Sequence, residues 1–157
     1  MSNLPPWVAL SADDLLSSMT LKERDDFGKT SVGTTVTDRV LPILTDLTAE
    51  IRGYIGSHAN NTLSADQSLI PCEFKAKALA TARWRVLVTI PGYQPGEARK
   101  LEYEKADTFF NNVAKGTISP RPAPDAEPSQ VPQGKVIASP QIRARGRRFS
   151  RDQQDGI

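Results

Sequence analysis

The sequence predicts an all-α fold: a small helical bundle of three main helices, shorter helices before them, and a long extended C-terminal tail. Three observations carry that expectation. Between Asp38 and Ser57, apolar residues recur at three- and four-residue steps, the repeat that gathers side chains on one stripe of a helix. Two further helical stretches, 71–89 and 97–115, are bounded by Pro71 and Gly116. From Thr117 onward helix signals vanish, and six of the chain's 12 prolines lie there.

The entry segment, Leu4 to Ala9, carries Pro5, Pro6 and Trp7 and reads as extended, with the indole packed on the body. Ser11 or Asp13 caps a short helix whose Leu15, Leu16 and Met19 face inward. Thr20 and Glu23 have capping-box spacing and start a second short helix that ends near Phe27 and Gly28. Lys29 to Thr37, with Gly33 and four threonines, is a loop.

The central helix follows. Asp38 is expected to cap it, with Pro42 in its first turn and Gly56 at its stop. Val40, Leu41, Ile43, Leu44, Leu47, Ile51, Tyr54 and Ile55 form its stripe. Burying a large apolar side chain stabilises by roughly 1.5–3 kcal/mol, so the stripe supplies on the order of ten or more before entropy is subtracted. Residues 57–68 are polar and form a surface loop.

Pro71 reads as the first residue of an alanine-rich helix running through Thr89, apolar over a wide arc and covered by two neighbours. A turn at Pro91, Gly92, Pro95 and Gly96 leads to the last helix, Glu97 to Lys115, whose inward face is Ala98, Leu101, Ala106, Phe109, Phe110 and Val113. No strand alternation is evident. The expected core is Leu44, Leu47, Ile51, Tyr54, Trp84, Phe109 and Phe110.

Residues 1–116 therefore make the helical domain and 117–157 the tail. The domain carries 13 basic against 14 acidic residues, the tail 7 against 4, so the overall +2 hides a basic tail. Ordering a residue's backbone costs about 1–2 kcal/mol, which the tail's few apolar side chains cannot offset across 41 residues. It is either a disordered appendage or a segment that a partner orders.

Catalytic constellations are hard to assemble. His58 is the single histidine and suits a loop or helix-dipole role better than a general base; Cys72 is the single cysteine and reads as a structural thiol. Neither has an evident third partner, metal-ligand spacing is absent, and no glycine-rich phosphate loop occurs, so neither enzyme activity nor a cofactor is expected. One cysteine precludes an internal disulfide and suits a reducing compartment. The first residues lack a secretory pattern, and the longest apolar run, Val86 to Ile90, is far short of the roughly 20 residues that span a membrane.

Charge offers the binding signals. Six basic residues between Lys135 and Arg151, with no acid among them, could neutralise nucleic-acid phosphates or simply be solvated. The reading preferred here is protein docking. Val136 and Ile137 can add a strand to a partner's sheet edge, Arg143, Arg145, Arg147, Arg148 and Arg151 can pair with an acidic surface, and Phe149 can anchor. Arg83 and Arg85 flank Trp84, an arrangement that suits a subunit contact with Trp84 in the core better than base stacking.

The order of motifs resembles the head-to-tail connector, or adaptor, proteins of Mu-like tailed bacteriophages and prophages. The resemblance rests on AEIRGYI at Ala49 to Ile55, on Leu69-Ile70-Pro71 before an alanine-rich helix, and on YEKADTFFNNVAKGTIS at Tyr103 to Ser119. Arg148 to Asp152 also looks like the ending of these proteins. The chain departs from the pattern at Leu4 to Lys29, which is more polar, and at Ile90 to Gly96, which is proline-rich.

The resemblance implies a structural protein of the virion neck, assembled in the host cytoplasm, that forms a dodecameric ring beneath the portal. Double-stranded DNA passes through its centre without sequence-specific contacts, the tail docks on the portal, and the opposite face receives the next neck or tail-completion protein. Under it, the portal-binding residues are Val136, Ile137, Arg143, Arg145, Arg147, Arg148, Phe149 and Arg151, and Glu23, Arg83, Arg85 and Arg99 are subunit contacts. The alternative is a small nucleic-acid-binding protein with a helical domain and a basic arm.

Overall fold

The computed structural model of the protein describes residues 6–30 and 35–125. Strand β1 (Trp7–Ala9) leads into α1 (Ala12–Ser18), α2 (Leu21–Lys29) and the long α3 (Val36–Gly56). Strand β2 (Leu69–Pro71), a 3-10 turn (Cys72–Phe74), α4 (Lys75–Val88) and α5 (Glu97–Ala114) follow. The fold is all-α, three main helices preceded by two short ones, with one small sheet added.

Local chemistry sets the helix starts. Ser11 accepts from the Asp14 N–H and the Asp14 carboxylate accepts from the Ser11 N–H, a capping box that satisfies donors the first turn leaves open. Thr20 and Glu23 make the same pair at α2. At α3 the cap is Thr35, whose hydroxyl accepts from the Asp38 N–H at 3.1 Å, so the helix starts before the expected Asp38. Pro42 consequently lies in the second turn rather than the first, and the Asp38 carbonyl loses its intrahelical donor.

Pro71 opens no helix. It closes β2, which pairs antiparallel with β1 in the register Trp7 to Pro71, Val8 to Ile70 and Ala9 to Leu69. Three residues are too few for alternation to show in the sequence, and a proline ends a strand without losing a ladder bond. The helix proper starts at Lys75, where Nζ reaches the Asp14 carboxylate of α1 at 2.8 Å.

The core lies where α3, α4 and α5 meet. α4 packs on α5, α3 and α1. Leu44, Leu47, Ile51, Ile55, Ala78, Ala82, Val86, Leu87, Ala106, Phe110 and Val113 are buried together. Phe74 from the 3-10 turn meets Phe109 edge-on, centroids 5.1 Å apart, and Phe110 at 6.0 Å. Tyr54 and Phe109 pack on the rim of this cluster.

Four positions expected to face inward lie elsewhere. Trp84 is half-buried outside the cluster, its ring stacked on Tyr103 at 5.3 Å and 12°. Leu41, Ala98 and Leu101 are exposed.

The body extends beyond the expected boundary at Gly116, which has φ of 75° and turns the chain back after α5. Residues 117–125, expected in the tail, lie on the body as a strap. Trp7 is buried and its indole N–H donates to the carbonyls of Arg121 (3.3 Å) and Pro122 (3.2 Å). Arg121 N–H donates to Glu73 Oε1 at 2.8 Å, and Ala123 N–H to Thr62 Oγ1 at 3.4 Å. The Asp125 carboxylate accepts from the Ala65 N–H at 2.5 Å, and the Ala123 methyl is buried. Short apolar residues and satisfied backbone groups let this proline-rich stretch pack without helix or strand.

Candidate assembly interface

The four residues expected at subunit contacts all engage within one chain. Glu23, on α2, is buried, and Arg99, in the first turn of α5, grips it with two hydrogen bonds: Nε to Oε1 at 2.9 Å and Nη2 to Oε2 at 3.0 Å. The same Oε2 accepts the Thr20 N–H at 2.7 Å, so one carboxylate caps α2 and holds α5. Arg99 Nη1 reaches Glu102 at 3.1 Å, and that oxygen also accepts from Arg83 of α4. Arg83 Nη1 donates to the Ser18 carbonyl at the end of α1, 2.7 Å away. This network ties four helices together.

Arg85 pairs with Glu50 and so joins α4 to α3, and Tyr54 donates to the other oxygen of Glu50 at 3.3 Å. Packed helices bring opposite charges together, and these cations are thereby neutralised internally. The sequence offers such charges without revealing their partners.

Electrostatics follow from this geometry. Burial alone raises the Glu23 pKa, yet the Arg99 guanidinium and the Thr20 cap outweigh it, and the carboxyl sits below the ordinary glutamate value. The pairing with Glu23 raises Arg99 in turn. Asp125 is lowered by the Ala65 N–H it accepts from, and Asp14 by Lys75 and the Ser11 hydroxyl.

The portal-binding set, Val136, Ile137, Arg143, Arg145, Arg147, Arg148, Phe149 and Arg151, lies outside the described residues. His58 is half-buried just past α3 with its ring against Gly116, and its Nδ1 has no hydrogen-bond partner among the described residues. Cys72 is half-buried in the 3-10 turn, Sγ 3.8 Å from Glu73 Oε2. The described residues contain no cluster of three or more metal-ligating side chains and no helix long and apolar enough to cross a membrane.

Two surface features went unanticipated. The first is a groove of about 590 Å³ between α3 and the ends of the small sheet, lined on α3 by Leu41, Leu44, Thr45, Thr48, Ala49 and Arg52. Ala9, Leu10, Gln67 and Ser68 form its other wall. Arg52 stands at one end and donates to the carbonyls of Ser64 (2.7 Å), Asp66 (3.0 Å) and Leu69 (3.0 Å). It thereby shapes the polar loop into the groove wall. The α3 positions repeat at three and four residues, a second helical stripe beside the core stripe that was legible in the sequence.

The second feature is Leu21, which is 80% exposed at the start of α2. Comparison with protein-family models, curated proteins and solved structures finds no match.

Proposed function

We propose that the protein is a structural head-to-tail connector of a tailed phage particle, acting by assembly rather than by chemistry. Copies form a ring, twelve in number by the resemblance, beneath the portal in the virion neck. The ring links capsid to tail, passes double-stranded DNA, binds the portal through the basic segment, and offers its other face to the next neck or tail-completion protein.

The observation that carries this reading is the strap at 117–125, which fixes the base of the C-terminal segment to a rigid helical body. An arm with an immobile base loses less freedom on docking than one hung from a flexible joint. The all-α body agrees with the fold the resemblance implies. Internal neutralisation of Arg83, Arg85 and Arg99 also leaves these positions poorly suited to gripping phosphates.

The test is to delete Gln133 to Ile157 and measure capture by purified portal. Full-length protein is expected to bind and the truncated protein to fail; equal binding overturns the role of the segment. DNA affinity of the isolated monomer that falls steeply with added salt would instead favour the nucleic-acid-binding alternative.

A further inference from the structure

The groove on α3 and the exposed Leu21 are complementary, and we propose that they are the two halves of one contact between copies of this chain. The groove is apolar through Leu41, Leu44 and Ala49 and carries Arg52 at one end. Arg52 bonds neutral carbonyls and forms no direct salt bridge among the described residues, while Asp66 and Asp125 lie near enough to feel its charge. Of its five donor hydrogens three are used, which leaves two N–H groups for an incoming carboxylate. The occupant therefore needs an apolar side chain and, beside it, a carboxylate.

Helix α2 carries that pair. Leu21 and Asp25 are four residues apart, so they lie on one face about 6 Å from each other along the axis. Both are exposed, and Asp25 joins no ion pair among the described residues, whereas its neighbour Asp26 is held by Lys29. On the receiving helix, Thr48 and Arg52 are also one turn apart. With Leu21 seated over Leu44, Thr45 and Thr48, Asp25 falls within reach of Arg52.

Leu21 is 80% exposed at the start of α2 and takes no part in the core cluster. The contact joins different patches of the two copies, so it is heterologous, and repetition closes a ring when the rotation permits. It deepens the ring reading above and rests on it.

Two variants in a Cys72→Ser background, one with Leu21→Cys and one with Thr45→Cys, test the pairing. Mixed and oxidised, they are expected to cross-link to each other, and neither alone to do so. Leu21→Asp is expected to shift the sedimenting species from ring to monomer with its far-UV helix signal unchanged. Rings that survive Leu21→Asp, a mixture without cross-links, or a wild-type chain that stays monomeric at every concentration overturns the contact. Portal capture of Leu21→Asp separates this failure from failure of the connector reading: a monomer that still binds portal leaves the latter standing.

Discussion

Glu23 shows how one side chain connects three levels of the structure. It completes the cap of α2, accepts both bonds of the Arg99 guanidinium and stands nearly sealed from water. Removing one partner of a buried, hydrogen-bonded pair strands the other, so Glu23→Ala is expected to destabilise by about 2–4 kcal/mol in urea unfolding. Because the folded pKa lies below the unfolded one, the stabilisation from this carboxylate is full above the ordinary glutamate range. It is lost as pH falls through the depressed folded value, and Glu23→Gln is expected to flatten that acid limb.

Gly116 makes a second residue-level case. With φ of 75°, and with an added Cβ falling 2.2 Å from His58 Nε2, Gly116→Ala forces both backbone strain and a clash. A loss of about 2 kcal/mol or more is expected, of which the left-handed backbone alone accounts for about 1–2. Gly53, in the last turn of α3 with open space around it, is the control: Gly53→Ala is expected to stabilise by about 0.5–1 kcal/mol. Thermal melts of the two variants should move in opposite directions.

At the scale of elements, the sequence reads well wherever a local signal is complete. The Thr20–Glu23 capping box, the run of α5 and its glycine stop follow from residues within a few positions of one another, whereas the cap of α1 stood open between Ser11 and Asp13 until the fold chose Ser11. Thr35 escaped because Asp38 is an equally good cap by type, and only burial of Val40 and packing of Val36 favour the earlier start. The sheet escaped because its strands have three residues each and lie 60 positions apart in sequence. Trp84 escaped because a large aromatic on an apolar helix is more often core, and Tyr103, which covers its face, lies on another helix. Charges were visible, but their partners depend on how the helices pack. Pro42 inside α3 leads to an element-level prediction: Pro42→Ala returns a donor to the Asp38 carbonyl and is expected to raise stability by about 1–3 kcal/mol.

For the whole molecule, the important finding is where the body ends. A break at Gly116, where helix signals stop, gave way to a strap through Asp125 because Trp7, Glu73, Thr62 and Ala65 each hold it. Those partners are 48 or more residues away, beyond the reach of any local pattern. Trp7→Phe keeps the bulk but drops the indole donor, so it is expected to cost about 1 kcal/mol and to increase proteolytic cleavage within 117–125. In the connector reading the same variant weakens portal capture, since the base of the arm is loosened. The central claim is the place of this chain in a particle, and electron cryomicroscopy of the assembled neck at side-chain resolution tests it most directly. A ring of this chain directly beneath the portal is expected, with residues 133–157 in contact with it. A neck resolved at that level without this chain in it would contradict the account.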